Sequence, residues 1–212
     1  MALDLEEQEQ VAELKAWWAQ YGRLVVAVVT GAVLALGGWQ GWRWYQARQA
    51  QEASVLFDAL SRGAQAGDAK AVRDAAGALL EKYPRSLYAA MGALGSARFY
   101  FDRGDLKTAK AQLSWAADNA RNDDFRDLAR LRLAGVLLDE KAYDEALKQL
   151  DAPHAEALDA QYGALRGDIL VAKGQPKEAR SAYRAALDKA EKNRENAAFR
   201  ETLRMRLDAL GG

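Results

Sequence analysis

The chain reads as an all-α protein: one apolar helix of membrane-crossing length, then a stack of helical hairpins. Three observations predict this. An uncharged apolar run extends from Leu24 to Trp42, and beyond it small and large apolar residues recur three and four positions apart. Ile169 is the sole isoleucine, and few Val or Thr lie outside the run to build a sheet. The 212 residues carry 30 basic and 30 acidic side chains, a balance that argues against a nucleic-acid binder with its basic face. There is no cysteine, which excludes disulfides and thiolate metal sites without choosing a compartment.

The 19 residues of the apolar run make a helix of about 30 Å at about 1.5 Å per residue, the depth of a hydrocarbon core. A cleavable signal peptide would open on basic residues and end in small ones. Here Asp4, Glu6, Glu7, Glu9 and Glu13 precede the run, and Trp42, Arg43, Trp44 and Tyr45 close it. Trp17, Trp18, Trp39, Trp42 and Trp44, five of the six tryptophans, stand at its two ends with Tyr21 and Tyr45. Amphipathic rings favour the headgroup level on both sides of a bilayer. Within the run, Ala27, Gly31 and Ala35 form one stripe of small residues, and Gly37 with Gly41 a second. Such spacing lets helices approach closely in lipid.

Before the run, Val11, Leu14, Trp17, Trp18 and Tyr21 recur at helical spacing among Glu and Gln. They predict a short amphipathic helix, with membrane lipid or a protein partner as two equal candidates for its apolar face. Lys15 and Arg23 precede the span while Arg43 and Arg48 follow it, so the positive-inside count is a tie and leaves orientation open. The expected organisation is an amphipathic segment at 1–22, a transmembrane helix at 23–45 and a helical domain at 46–212.

Within that domain, three stretches share a frame: RGDLKTAKAQLSWA (103–116), EKAYDEALKQL (140–150) and KGQPKEARSAYRAA (173–186). Each has a turn, an Ala and a large residue four later: Ala109 with Leu113, Ala146 with Leu150, Ala179 with Tyr183. A weaker copy has Gly67 followed by Val72, with Pro84 beyond it, and successive anchors lie 37, 37 and 33 residues apart. Antiparallel helices that cross closely need a small residue at the crossing, a large one beside it, and Gly or Pro to end each helix.

The matching first helices carry inward stripes at Leu94, Ala97, Tyr100 and Phe101, at Leu131, Ala134, Leu137 and Leu138, and at Ala164, Gly167, Leu170 and Val171. Phe199, Leu203, Leu207 and Leu210 share one face of a final capping helix. The pattern resembles the tetratricopeptide repeat, an α-solenoid of about 34 residues per unit. The last copy fits best, with Gly163, Gly167, Gly174, Ala179, Tyr183 and Ala186 on the motif's preferred slots.

Nothing in the sequence points to catalysis or to a cofactor. His154, the lone histidine, sits in the loop DAPHAEA and reads as a solvated surface residue. The acidic pairs Asp123–Asp124 and Asp139–Glu140 suit helix ends. GALGSA (92–97) follows no strand and lies inside a helix, so it is no phosphate loop. A helical solenoid instead offers a concave protein-binding surface. Its expected lining is Met91, Leu94, Arg98, Phe101, Leu128, Leu131, Leu138, Asp168 and Val171. This mostly apolar set favours apolar helices or unfolded segments, and the competing expectation is that several of these residues pack on neighbouring helices.

The acidic start LEEQEQVAELKAWWAQYGR, the span with its GWQGWRWYQ exit, the QEASVLFDAL helix and the EKYPRSLYA turn together resemble the YfgM-type ancillary subunits of the bacterial Sec translocon. The resemblance covers the whole chain and is strongest over residues 6–60 and 80–102. It implies a single-span inner-membrane protein with a cytoplasmic N-terminus and a periplasmic repeat domain. It also implies association with the SecYEG channel and the membrane-anchored prolyl isomerase PpiD, and a part in handing over newly exported polypeptides. A repeat-domain adaptor for another envelope complex is the alternative, and a cytoplasmic signalling adaptor of inverted topology a third.

Overall fold

The computed structural model describes residues 5–211, with side chains described from Glu9 onward, so Asp4 and the side chains of Glu6 and Glu7 lie outside the described residues. The described helices are α1 (Leu5–Ala66), α2 (Ala69–Lys82), α3 (Leu87–Phe101), α4 (Leu106–Asn119), α5 (Asp123–Asp139), α6 (Tyr143–Leu150), α7 (Asp159–Ala172), α8 (Pro176–Lys192) and α9 (Ala197–Ala209). One 3₁₀ turn, Glu156–Leu158, leads into α7. The chain divides into two compact units, up to Arg48 and from Gln49 onward. Helix α1 contributes to both, since no Gly or Pro between 42 and 62 breaks it.

In the first unit every residue from Val26 to Arg48 is exposed. A core helix of a soluble protein would bury one side of such a run, so this helix is long, apolar and uncovered enough to cross a membrane. Aromatic contacts mark its ends. Trp17 meets Tyr21 at 5.8 Å between ring centroids and Trp42 meets Tyr45 at 6.2 Å. The Arg43 guanidinium lies 5.0 Å from the Trp39 ring.

In the second unit, the C-terminal part of α1 with α2, then α3 with α4, α5 with α6, and α7 with α8 form four hairpins, and α9 caps the last. The four anchor residues Val72, Ala109, Ala146 and Ala179 are each 0% exposed. Three contiguous apolar clusters run through the stack: Leu60, Val72 and Leu79 at one end, Leu113, Leu133, Leu137 and Ile169 in the middle, Tyr183, Leu203 and Leu207 under the cap. Arg180 also donates to the Leu210 carbonyl, fastening α9.

Each hairpin closes on the same turn. A left-handed residue ends the first helix: Gly67 (φ 73°), Gly104 (φ 78°), Lys141 (φ 61°) and Gly174 (φ 79°). The next N–H reaches five residues back, as in Asp105 to Tyr100 (3.0 Å), Ala142 to Leu137 (2.8 Å) and Gln175 to Leu170 (2.8 Å). This bond satisfies a carbonyl that the helix end leaves free. Asp68 and Asp105 then cap the following helices through their side chains. The third turn has neither device: Lys141 stands where the others have Gly, and Ala142 offers no side-chain cap to α6. It serves the shortest α-helix described, of 8 residues.

The helix crossings obey a size rule. Seven residues before each turn residue, and nine after it, lie the pairs Leu60 and Ala76, Ala97 and Leu113, Ala134 and Leu150, Gly167 and Tyr183, all buried. Each pair joins a small residue with a large one. The fourth is the extreme case, because a methyl group on Gly167 would stand 2.3 Å from the Tyr183 ring. At Gly163 it would lie 3.0 Å from the Ala186 methyl, which explains why these slots carry Gly.

Two stability measurements check this. Gly167→Ala should lower the unfolding free energy by about 2 kcal/mol through overpacking, and adding Tyr183→Leu, which recreates the pairing of α3 with α4, should recover much of it. Independently, Lys141→Gly should raise stability by about 0.5–1 kcal/mol, the left-handed strain relieved less the added freedom of the unfolded chain. Denaturant titrations of both sets read the outcome directly.

Candidate functional site

The first helices of successive hairpins, α3, α5 and α7, contact one another in order. Their last turns carry Phe101, Leu138 and Val171 in equivalent places, because each carbonyl there accepts the N–H of the left-handed residue three positions on. The inward stripes hold for their buried members, Leu94, Ala97, Ala134 and Leu137 among them. They fail at two of these end positions, where Phe101 is 38% and Val171 42% exposed, while Leu138 packs half-buried against the central core.

Between α3 and α5 this leaves a cleft of about 280 Å³. Its lining includes Arg98 and Phe101 from α3, Leu113 from α4, and Arg132, Gly135, Val136, Leu138 and Asp139 from α5. Three expected groove residues, Arg98, Phe101 and Leu138, therefore meet in one place. Leu94 is buried in the central core, and Leu128 and Leu131 pack against that core as half-buried residues. Met91 is half-buried and Val171 is exposed, both outside the cleft lining. Asp168 accepts the Tyr183 hydroxyl at 2.6 Å and pairs with Arg206 at 2.8 Å, so it is committed to joining α7, α8 and α9. Burial first, and then that bond, push the Tyr183 phenol well above its ordinary range.

The cleft residues that sequence reasoning missed are Arg132, Gly135, Val136 and Asp139. Each stands one position away from the stripe 131, 134, 137 and 138 that helical spacing marks as the inward face of α5. A Gly within a helix, between two charged residues at spacings of three and four, was the available signal.

Polar groups tie the first turns of α5 to α7 and to the connection before it. Asp127, 4% exposed, accepts the Ala155 N–H at 3.0 Å, and its own carbonyl accepts the Tyr162 hydroxyl at 2.7 Å. Burial pushes the Tyr162 phenol up to about 12. His154 departs from the expected solvated residue. It stacks on Tyr162 at 3.8 Å between centroids, with Nδ1 3.0 Å from the Ala152 carbonyl and Nε2 3.2 Å from Asp159. Lys189 above all, with His154 adding a smaller share, holds the Asp159 carboxyl below the usual carboxylate range. These contacts lock the α6–α7 connection.

In the first unit, Ala27, Gly31, Ala35, Gly37 and Gly41 are all exposed, and open space surrounds the three glycines where a Cβ would project. Asp123 and Asp124 lie in the first turn of α5, and GALGSA lies within α3. Among the described residues no group of three acidic or histidine side chains is placed to hold a metal ion.

Stacked hairpins behind one apolar helix, with an apolar cleft between first helices, define a repeat scaffold of the tetratricopeptide-like class. The tetratricopeptide repeat-like domain family matches residues 15–212. A Neisseria gonorrhoeae protein named ancillary SecYEG translocon subunit is 32% identical over 99% of this chain and 100% of its own length. The protein of that name from Escherichia coli K12 is 31% identical over 96% of each chain, and that from Haemophilus influenzae 28% over 88% of this chain and 91% of its own. The chain belongs to this YfgM-type family of tetratricopeptide repeat-like proteins.

Proposed function

We propose that the chain is a membrane-anchored scaffold that joins the Sec translocon of the bacterial inner membrane and assists the export of newly translocated proteins. The end-to-end correspondence with proteins named ancillary SecYEG translocon subunits carries this reading, because anchor and repeats are matched together and in order. Residues 1–22 then lie in the cytoplasm, 23–45 cross the bilayer, and 46–212 form the periplasmic domain. Family resemblance supplies this orientation, since the flanking charges balance. The small-residue stripes Ala27–Gly31–Ala35 and Gly37–Gly41 are the faces on which another transmembrane helix would pack.

Tethering gives the scaffold its mechanism. A domain held beside a channel meets emerging chains and neighbouring chaperones at a high effective concentration, so weak contacts suffice. PpiD is the expected fixed partner and unfolded exported polypeptides the expected clients. We assign it no catalytic role: its one histidine is engaged in closing the α6–α7 connection.

Affinity purification of the full-length chain from membranes in a mild detergent, followed by mass spectrometry, tests the reading. Co-purification of the channel subunits is expected, and it should fall when Gly31 and Gly37 are both replaced by Leu. Recovery of a different envelope complex without the channel would overturn the proposal.

A further inference from the structure

The cleft between α3 and α5 holds two arginines in different circumstances. Arg98 is paired at 2.7 Å with Asp102, the residue that ends its own helix. Arg132 has no hydrogen bond or ion pair among the described residues, and Asp139 lines the same cleft without reaching it. Partial burial, with the neighbouring Arg98 charge adding to it, holds the Arg132 guanidinium below its ordinary range. Around them the wall is apolar, from Phe101, Val136 and Leu138, and the floor is opened by Gly135, beside whose Cβ position there is nothing within 4 Å.

A guanidinium that lines an apolar cleft without an anionic partner, beside a second positive charge, favours a ligand that supplies an anion. The apolar wall favours an anion carried on a greasy chain rather than a free inorganic ion. We propose that this cleft binds a peptide segment that sets an apolar side chain against Phe101, Val136 and Leu138 and places a carboxylate against Arg132. Gly135 lets that segment's backbone approach α5. The proposal rests on reading the domain as a peptide-binding scaffold, but not on which membrane complex the scaffold joins, so it is tested without the translocon.

The measurement is fluorescence anisotropy on the full chain in lipid nanodiscs, with short labelled peptides that carry Leu and Phe beside a single Glu or, in the control, Gln. The Glu peptide should bind about tenfold more tightly, the expected gain from one charge-assisted bond. Arg132→Gln should abolish that preference while leaving the Gln peptide's affinity unchanged. Gly135→Leu fills the cleft where no neighbour is displaced, so it should keep the thermal unfolding transition yet lose both peptides. Equal affinity of the two peptides for the unaltered chain, no binding of either, or full binding to a folded Gly135→Leu chain would overturn the proposal.

Discussion

Two antiparallel helices joined by a tight turn can close-pack only if their combined bulk at the crossing stays nearly constant. Protein interiors tolerate neither a void nor an extra methylene cheaply. This chain meets the constraint in three ways: large on the first helix and small on the second at Leu60 and Ala76, the reverse at Ala97 with Leu113 and Ala134 with Leu150, and the extreme of Gly167 against Tyr183. The left-handed turns then fix where each second helix starts, and the stacking of first helices follows. The cleft where Phe101 and Leu138 meet lies at the turn ends of α3 and α5, with Phe101 exposed and Leu138 half-buried against the central core.

Much of this is legible in the amino-acid sequence. The anchors Val72, Ala109, Ala146 and Ala179 were set by local spacing and prove fully buried. Turn glycines 67, 104 and 174 announced themselves because only Gly takes a positive φ without strain. Lys141 did not, because the identical turn there is imposed by the helices on either side of it. Tertiary position likewise decides Asp127, whose partners Ala155 and Tyr162 lie 28 and 35 residues away in sequence. Once α7 brings Tyr162 under the loop, His154 has a ring to stack on, and the expectation of a solvated residue gives way.

The site was less legible than the fold for a related reason. Helical spacing separates an inward stripe from the rest, but the contact of one first helix with the next decides which remaining positions line a cleft. Arg98, Phe101 and Leu138 fell on the right side of that division, while Leu94 and Asp168 are held by the core and by Arg206. Arg132 stands one position from the core stripe of α5, and helical spacing alone does not mark it as a cleft residue.

The account requires that the uncovered helix from Leu24 to Trp42 reside in lipid, holding the repeats on the outer side of the inner membrane. Protease added to intact spheroplasts, followed by carbonate extraction of the membranes, examines both requirements in one experiment. Loss of the C-terminal domain, with an N-terminal fragment retained in the carbonate pellet, is the predicted result. A chain that resists protease until the cells are lysed, or that washes into the carbonate supernatant, would contradict the account.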